Sequence, residues 1–466
     1  MFDNFLLNAD SYKASHHLQY PPGTEYVYSY IESRGGKFDR TVFFGLQMYL
    51  KEYLTKPITQ AMIDEAAEFW AAHGEPFNRD GWEYILKTHS GRLPVVIKAV
   101  PEGTVVPTHN VLCTIVNTDP KCFWLTSFIE TSLLRAVWYP TTVSSLSWHC
   151  KQIIRAALEK SADDVDGQIG FKMHDFGSRG VSSNESAAIG GAAHLVNFMG
   201  TDTVVGVLAA RRYYGANMAG FSIPAAEHST ITSWGRENES KAYANMLAQF
   251  GKPGALVAVV SDSYDIMNAA SNIWGGELYQ AVVDSGATVV VRPDSGDPHK
   301  IPVEVIERLG DKFGYTVNSK GYKVLPSCIR VIQGDGITID SLPVILDNLL
   351  AKGWSADNIA FGQGGGLLQM VNRDTQKFAM KCSSMFINGE WRDVYKDPIT
   401  DTGKRSKKGR VTLWKSGNEY ETSVMQPTRW TDKGAQWIEC LIPVFENGLL
   451  LKDYSFDDIR SNSNKN

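Results

Sequence analysis

The stretch Leu256-Val-Ala-Val-Val260, followed at once by Ser261-Asp-Ser-Tyr-Asp265, decides the fold. Five apolar residues have the length of a buried strand, and the turn behind them carries two carboxylates. The phrase recurs on both sides. Ile169–Met173 leads into His174-Asp-Phe-Gly-Ser-Arg-Gly180, Thr288–Val291 into Arg292-Pro-Asp-Ser-Gly-Asp297, Ile329–Ile332 into Gln333-Gly-Asp-Gly336, and Ile359–Phe361 into Gly362-Gln-Gly-Gly-Gly366. The last four strand ends fall about 30 to 40 residues apart, the length of a strand plus a returning helix, so parallel βα units are expected. Loops that follow parallel strands gather at one end of the sheet, where ligands bind in barrels and open α/β sheets alike. Gly and Asp are also plain turn formers. Five polar loops in series favour a shared site over five unrelated turns.

Outward from this repeat the pattern changes. Residues 1 to about 160 mix helical and strand periodicities: Thr59–Ala72 reads as a helix, Pro94–Val100 and Val111–Val116 as strands. Cys122–Leu134, continuing to Trp138-Tyr-Pro140, reads as a buried helix stopped by the proline. No Gly/Ser-rich or Pro-rich linker separates this part from the repeat. After residue 375 come short strands and a basic run, Lys404-Arg-Ser-Lys-Lys-Gly-Arg410, which is either a solvated turn or an anion contact.

Composition narrows the function. With 43% hydrophobic and 21% charged residues over 466 positions, the chain can build sizeable cores and is not a disordered polyelectrolyte. A net charge of −5 argues against binding nucleic acid through bulk electrostatics, so phosphate recognition has to come from a few placed residues. The six cysteines show no Cys-x-x-Cys spacing and read as reduced thiols of a cytoplasmic protein. The N-terminus has an acid where a signal peptide needs a basic region. The longest apolar run, Ala255–Val260, is far short of the ~20 residues that span a bilayer.

The strand-end loops supply Arg179 and Arg292, the carboxylates Asp262, Asp294, Asp297 and Asp335, and the glycines 362 to 366; Ala225-Ala-Glu-His-Ser-Thr230 adds His228. Guanidinium forks suit phosphate oxygens, glycines let backbone N–H groups approach them, and carboxylates suit a sugar diol or Mg²⁺. Together they describe a sugar phosphate or nucleotide pocket. There is no Gly-x-x-x-x-Gly-Lys-Ser/Thr loop, no early Gly-x-Gly-x-x-Gly, and no His/Cys cluster for zinc. His228 is either a structural residue at a helix start or a nucleophile or proton donor.

Read together, Asp10-Ser-Tyr-Lys13, Gln19-Tyr-Pro-Pro22, Tyr30-x-Glu32-x-Arg34, His174-Asp-Phe-Gly-x-Arg-Gly-Val-Ser-Ser183, Gly200-Thr-Asp-Thr203, Pro224-Ala-Ala-Glu-His-Ser-Thr230, Arg292-Pro-Asp-Ser-Gly296, Gln333-Gly-Asp-Gly336 and Lys404–Arg410 resemble the nicotinamide phosphoribosyltransferases. The resemblance runs in order from about residue 5 to residue 460. It implies the fold of type II phosphoribosyltransferases: an irregular α/β barrel over residues 161–375, with an α/β sandwich domain built from residues 1–160 and 376–466. It implies transfer of phosphoribose from 5-phosphoribosyl 1-pyrophosphate to nicotinamide, with Mg²⁺ and ATP, in a homodimer with shared active sites and with no nucleic acid or membrane partner.

The resemblance also assigns roles. Arg179 and Arg292 would hold phosphates, Asp294 the ribose hydroxyls, and Gly334, Asp335 and Gly365 the ribose phosphate, with Arg373 at the 5′-phosphate. Phe176 would stack on the pyridine ring and the partner's Tyr12 would close the sandwich, Asp10 belonging to the same substrate site. Asp202 would accept a hydrogen bond from the carboxamide, which a negatively charged nicotinate cannot give. His228 would be phosphorylated by ATP, with Asp262 orienting its ring, and Lys381, Lys396 and Lys404 would contact nucleotide phosphates. Mg²⁺ would be held through pyrophosphate, with no direct protein ligand. Two departures stand out: the segment after Arg34 is short, and Ser178 stands where an aromatic is usual. The alternatives are a phosphoribosyltransferase acting on nicotinate, and a catalytically silent nucleotide-binding or signalling relative.

Overall fold

The computed structural model describes residues 4–400, 405–430, 434 and 436–465. The chain divides into two compact units, residues 146–211 with 217–370, and residues 1–145 with 212–216 and 371–466.

The first of these contains a six-stranded parallel sheet. Its strands, numbered among themselves, are β1 (Met173–Asp175), β2 (Gly200–Thr201), β3 (Leu256–Val260), β4 (Thr288–Arg292), β5 (Ile329–Gln333) and β6 (Ile359–Gln363). In space they run β2-β1-β6-β5-β4-β3. The two outer strands are joined by an extended segment: Phe221 bridges Gly200 of β2, and Ala225 bridges Ala258 of β3, both in parallel sense. That segment closes the sheet into an irregular barrel, and His228 follows it directly. The residues expected as a strand at 169–173 are shifted. Asp166–Ile169 is a single helical turn, fixed by Gly167 N–H donating to Asp164 at 2.9 Å, and pairing begins at Met173.

Alternation along each strand sorts its two faces. Val257, Val259, Val289, Val291, Val331 and Phe361 are fully buried. Ala258, Val290 and Ile332 occupy the opposite phase and pack with Phe176, Ile223 and Ala360 in one cluster inside the barrel. Small residues on two of the strands leave room for the larger ones, as a narrow barrel requires. At the amino ends of the strands the ammonium of Lys172 donates to the carbonyls of Ala356, Asp357 and Ile359 at 3.0 to 3.1 Å.

The other unit is built on a seven-stranded sheet that interleaves both ends of the chain. Its order is Glu390–Asp393, Phe378–Ile387, Thr24–Ser33, Val111–Asn117, Val95–Ala99, Ile442–Glu446 and Leu449–Leu450. The helix Gln60–His73 starts where Thr59 accepts from Met62 N–H at 3.3 Å and ends at Gly74 in the left-handed region, φ 89°. Ile63, Ala66 and Trp70, spaced by one and two turns, are its buried stripe. Trp82, Trp124 and Phe128 meet edge to face within the same core.

The helix expected to stop at Pro140 does not: it runs from Leu125 to Ser161, across the position where the units divide. Proline removes the N–H that would bond Ala136 O, and the helix continues through it with hydroxyls of the following residues bonded nearby. Thr142 Oγ1 donates to Trp138 O at 2.6 Å, and Thr141 Oγ1 donates to Phe44 O at 3.2 Å. Gly45 makes room for the ring, since a Cβ there would lie 2.3 Å from Pro140 Cγ.

Candidate functional site

The carboxyl ends of the barrel strands carry the site. Residues in the inward phase of each strand end at its mouth: Phe176 after β1, Asp202 after β2, Asp262 after β3, Arg292 at the end of β4, Gly334 after β5 and Gly362 within β6. The glycines show how close the approach is. A Cβ on Gly362 would lie 1.9 Å from Phe176 Cε2, so the ring rests directly on the β6 backbone. A Cβ on Gly334 would lie 3.3 Å from the same ring and 3.5 Å from Asp294 Oδ1, so Phe176 and Asp294 face the same side of that backbone. A Cβ on Gly200 would strike the imidazole of His174 at 2.5 Å. Burial lowers the pKa of that imidazole, against the opposing charge of Asp202.

Two side-chain pairs lie at the mouth. His228 Nε2 lies 3.1 Å from Asp262 Oδ1, the histidine half exposed and the carboxylate buried. Arg292 Nη2 lies 2.8 Å from Asp294 Oδ2. Arg292 Nε is buried without a hydrogen-bond partner among the described residues, a donor suited to an anion. Arg179, on the turn Ser178–Gly180, is exposed, and a Cβ on Gly180 would lie 3.6 Å from Gly365, so the arginine loop and the glycine loop are neighbours. Asp335 is exposed at the tip of its loop, its carbonyl accepting from Gln333 Nε2 at 2.9 Å.

The mouth suits magnesium carried by a phosphate ligand better than magnesium held by protein alone. Asp262 is already engaged by His228 and Ser295, and Asp294 by Arg292. The unpaired Arg292 Nε asks for phosphate oxygen.

The remaining expected residues lie in the other unit. Asp10 Oδ2 accepts from Thr131 Oγ1 at 2.7 Å, and Tyr12 is exposed with its ring 5.0 Å from that of His16. Lys381 sits opposite Tyr30 in the sheet. Burial lowers its pKa, Glu130 opposing this while Arg34, Lys13 and Arg373 add to it, so four cations share one neighbourhood. Arg373, expected with the barrel, therefore belongs to this unit. Lys396 is exposed at a loop bonded to Ser406, and Lys404 lies outside the described residues. Of the basic run, Lys407 pairs with the buried Glu32, and Arg410 lies over Trp391 at 4.7 Å.

Comparison with known proteins follows this geometry. The nicotinate phosphoribosyltransferase family model matches residues 171–441, and the model for the nicotinamide phosphoribosyltransferase N-terminal domain matches residues 4–97. The chain is 57% identical to a nicotinamide phosphoribosyltransferase of Xanthomonas campestris, over 99% of this chain and 98% of that protein. The chain belongs to the nicotinamide phosphoribosyltransferase family. A second member, from Acinetobacter baylyi, is 33% identical over 97% of this chain and 96% of its own. Two solved structures share the fold: a nicotinate-nucleotide pyrophosphorylase of Pyrococcus furiosus, with TM-score 0.63, 15% identity and coverage of 99% and 95%, and a human nicotinic acid phosphoribosyltransferase, with TM-score 0.58, 14% identity and coverage of 97% and 92%.

Within this phosphoribosyltransferase barrel, sequence reading missed three supports. Ser222 Oγ donates to Asp202 Oδ1 at 2.6 Å, and Ser295 donates to Asp262. Beneath Asp262, Trp274 Nε1 donates to Ser261 Oγ at 3.1 Å while its ring stacks on Tyr243 at 4.9 Å. In the other unit, Arg34 and Lys13 join Lys381. Serines carry no periodic signal. Arg34 and Lys13 stood inside recognised motifs, where only their charge could have singled them out.

Proposed function

We propose that this protein transfers the phosphoribosyl group of 5-phosphoribosyl 1-pyrophosphate to nicotinamide, releasing pyrophosphate and forming nicotinamide mononucleotide for NAD salvage. The observation that carries this reading is Asp202, standing at the barrel mouth one strand from Phe176 and already accepting a hydrogen bond from Ser222. A carboxylate there accepts from a carboxamide NH₂ and repels the carboxylate of nicotinate. The high identity to relatives of that name supports it.

The pyridine nitrogen brings its own in-plane lone pair and no proton, so no general base is needed. The nitrogen bonds to ribose C1 as the bond from C1 to the pyrophosphate oxygen breaks, and that electron pair leaves with pyrophosphate. Phe176 holds the ring flat. Arg179 and Arg292 take the charge that develops on the leaving group, and Asp294 orients the ribose hydroxyls. Mg²⁺, carried by the pyrophosphate that Arg179 and Arg292 would hold, would supply further neutralising charge.

The γ-phosphoryl group of ATP passes to Nδ1 of His228, the ring nitrogen not bonded to Asp262, with ADP as the leaving group. Water then hydrolyses the phosphohistidine to histidine and inorganic phosphate in the step that favours product. Lys381, Lys396, Lys404 and Arg373 bind nucleotide phosphates. The working form is a cytoplasmic homodimer in which the partner's Tyr12 completes the ring sandwich with Phe176. Mass detection of nicotinamide mononucleotide from purified protein, donor and Mg²⁺ tests this, with and without ATP. Preferential use of nicotinate, or no product at all, overturns it.

A further inference from the structure

One buried carboxyl at the barrel mouth has no part in the chemistry above. Asp175 is fully buried and belongs to the outward phase of β1, so it cannot touch a ligand in the barrel. Its neighbours in that phase on other strands are Val259, Val291, Val331 and Phe361. Packing alone would favour an apolar residue here, because burying a carboxyl costs free energy unless it does something specific.

Its bonds show what it does. Asp175 Oδ1 accepts from Gly177 N–H at 2.7 Å, fixing the turn immediately after Phe176. Its backbone carbonyl accepts from Asp202 N–H at 2.9 Å, fixing the loop that presents Asp202. Phe176 N–H is held in turn by Gln363 O at 2.9 Å. One residue thus ties the aromatic platform and the amide-reading carboxylate to each other. The hydroxyl of Thr203, the residue after Asp202, faces the same carboxyl, and Oε1 of Gln363, its register partner on β6, is buried without a partner among the described residues. Burial raises the carboxyl to about 6, the Gly177 N–H and the Thr203 hydroxyl opposing this and the Asp202 charge adding to it. A neutral side chain with one acceptor and one donor would suit these surroundings, and asparagine is such a side chain.

We infer that Asp175 is the positioning residue of the pyridine subsite, setting the placement of Phe176 and Asp202 through its side chain and its carbonyl. The inference rests on the proposed function for what binds there. Two full-length variants test it. Asp175→Leu keeps the volume and removes the acceptor; Asp175→Asn keeps the acceptor for Gly177. For Asp175→Leu the KM for nicotinamide should rise about tenfold, the loss of a buried hydrogen bond, while the KM for 5-phosphoribosyl 1-pyrophosphate moves less than about twofold. Asp175→Asn should restore the nicotinamide KM to within about threefold of wild type.

Amide hydrogen exchange gives a readout independent of turnover. In Asp175→Leu, exchange at Gly177, whose acceptor is removed, should quicken about tenfold or more, with β4 and β5 unchanged. Equal shifts in both KM values, failure of the leucine variant to fold, or an asparagine variant as impaired as leucine would each overturn the inference. Unchanged exchange at Gly177 would overturn it even if the wild type used another substrate. Absence of wild-type product would sink the activity alone.

Discussion

His228 Nε2 sits 3.1 Å from Asp262 Oδ1, and the hydroxyl of Ser295 donates to the other oxygen of the same carboxylate. Asp262 is thereby held from two sides, and the imidazole is aimed by a group that cannot itself turn. Beneath it the Ser261–Trp274 hydrogen bond anchors the end of β3. A histidine oriented in this way has one nitrogen occupied and the other available, the arrangement a phosphoryl acceptor needs.

The His228→Ala variant should therefore lose the dependence of product yield on ATP while retaining weak transferase activity. Product measured at a series of ATP concentrations checks this. An ATP response equal to wild type would remove the phosphohistidine from the mechanism. The Asp262→Asn variant should fall between the two, since asparagine can still orient the ring but cannot stabilise its charge.

The contact between Phe176 and Gly362 leads to a second expectation. A methyl group at residue 362 would overlap the ring, at 1.9 Å from Cε2, and the ring would have to lift from the strand. Gly362→Ala should raise the KM for nicotinamide by about tenfold or more, comparable to 1.4 kcal/mol of lost placement. Steady-state kinetics with varied nicotinamide would read it, and an unchanged KM would show that the ring is not part of the subsite.

Asp202 should control which pyridine is accepted. Asp202→Asn removes the charge that repels nicotinate, and its amide can turn to donate instead of accept. The preference for nicotinamide over nicotinate, as a ratio of kcat/KM values, should drop about tenfold to a hundredfold, the scale of one buried polar mismatch. A ratio that stays at the wild-type value would move the selectivity elsewhere.

Asp175 should leave a mark on stability as a function of pH. Burial raises its folded-state pKa to about 6, above the 3.8 of the exposed group, so the folded protein holds this proton more tightly than the unfolded chain. Its contribution to stability is then most favourable below about pH 4 and is lost as the pH rises through about 6. Denaturation midpoints of wild type minus those of Asp175→Asn should fall across that window and stay flat above it. A flat difference throughout would contradict the buried carboxyl.

Much of this was legible in the sequence. The apolar strands of the repeat and their polar ends gave the parallel βα units, because a strand buried on both faces needs a continuous apolar run and its loop must stay wet; the barrel itself came from the resemblance. The polar loops placed Asp262 and Arg292 at the strand ends, and the resemblance singled out Asp202 and Gly334. The closure of the barrel was not legible: Phe221–Ala226 forms only single bridges to each edge, too little pairing to demand β-branched residues. Nor was the helix through Pro140, where the Thr141 hydroxyl meets the carbonyl of Phe44, and Gly45 makes room for the ring, only after the chain has folded. Asp175 went unnoticed for a related reason. Its importance lies in what it bonds, Gly177 and Asp202, and a motif does not display its hydrogen bonds.

The most direct measurement offers purified protein equal concentrations of nicotinamide and nicotinate, with 5-phosphoribosyl 1-pyrophosphate and Mg²⁺, and weighs the products by mass spectrometry with and without ATP. Nicotinamide mononucleotide should dominate, and its yield should rise when ATP is present. Dominance of nicotinate mononucleotide would contradict the reading of Asp202 and the substrate assignment with it.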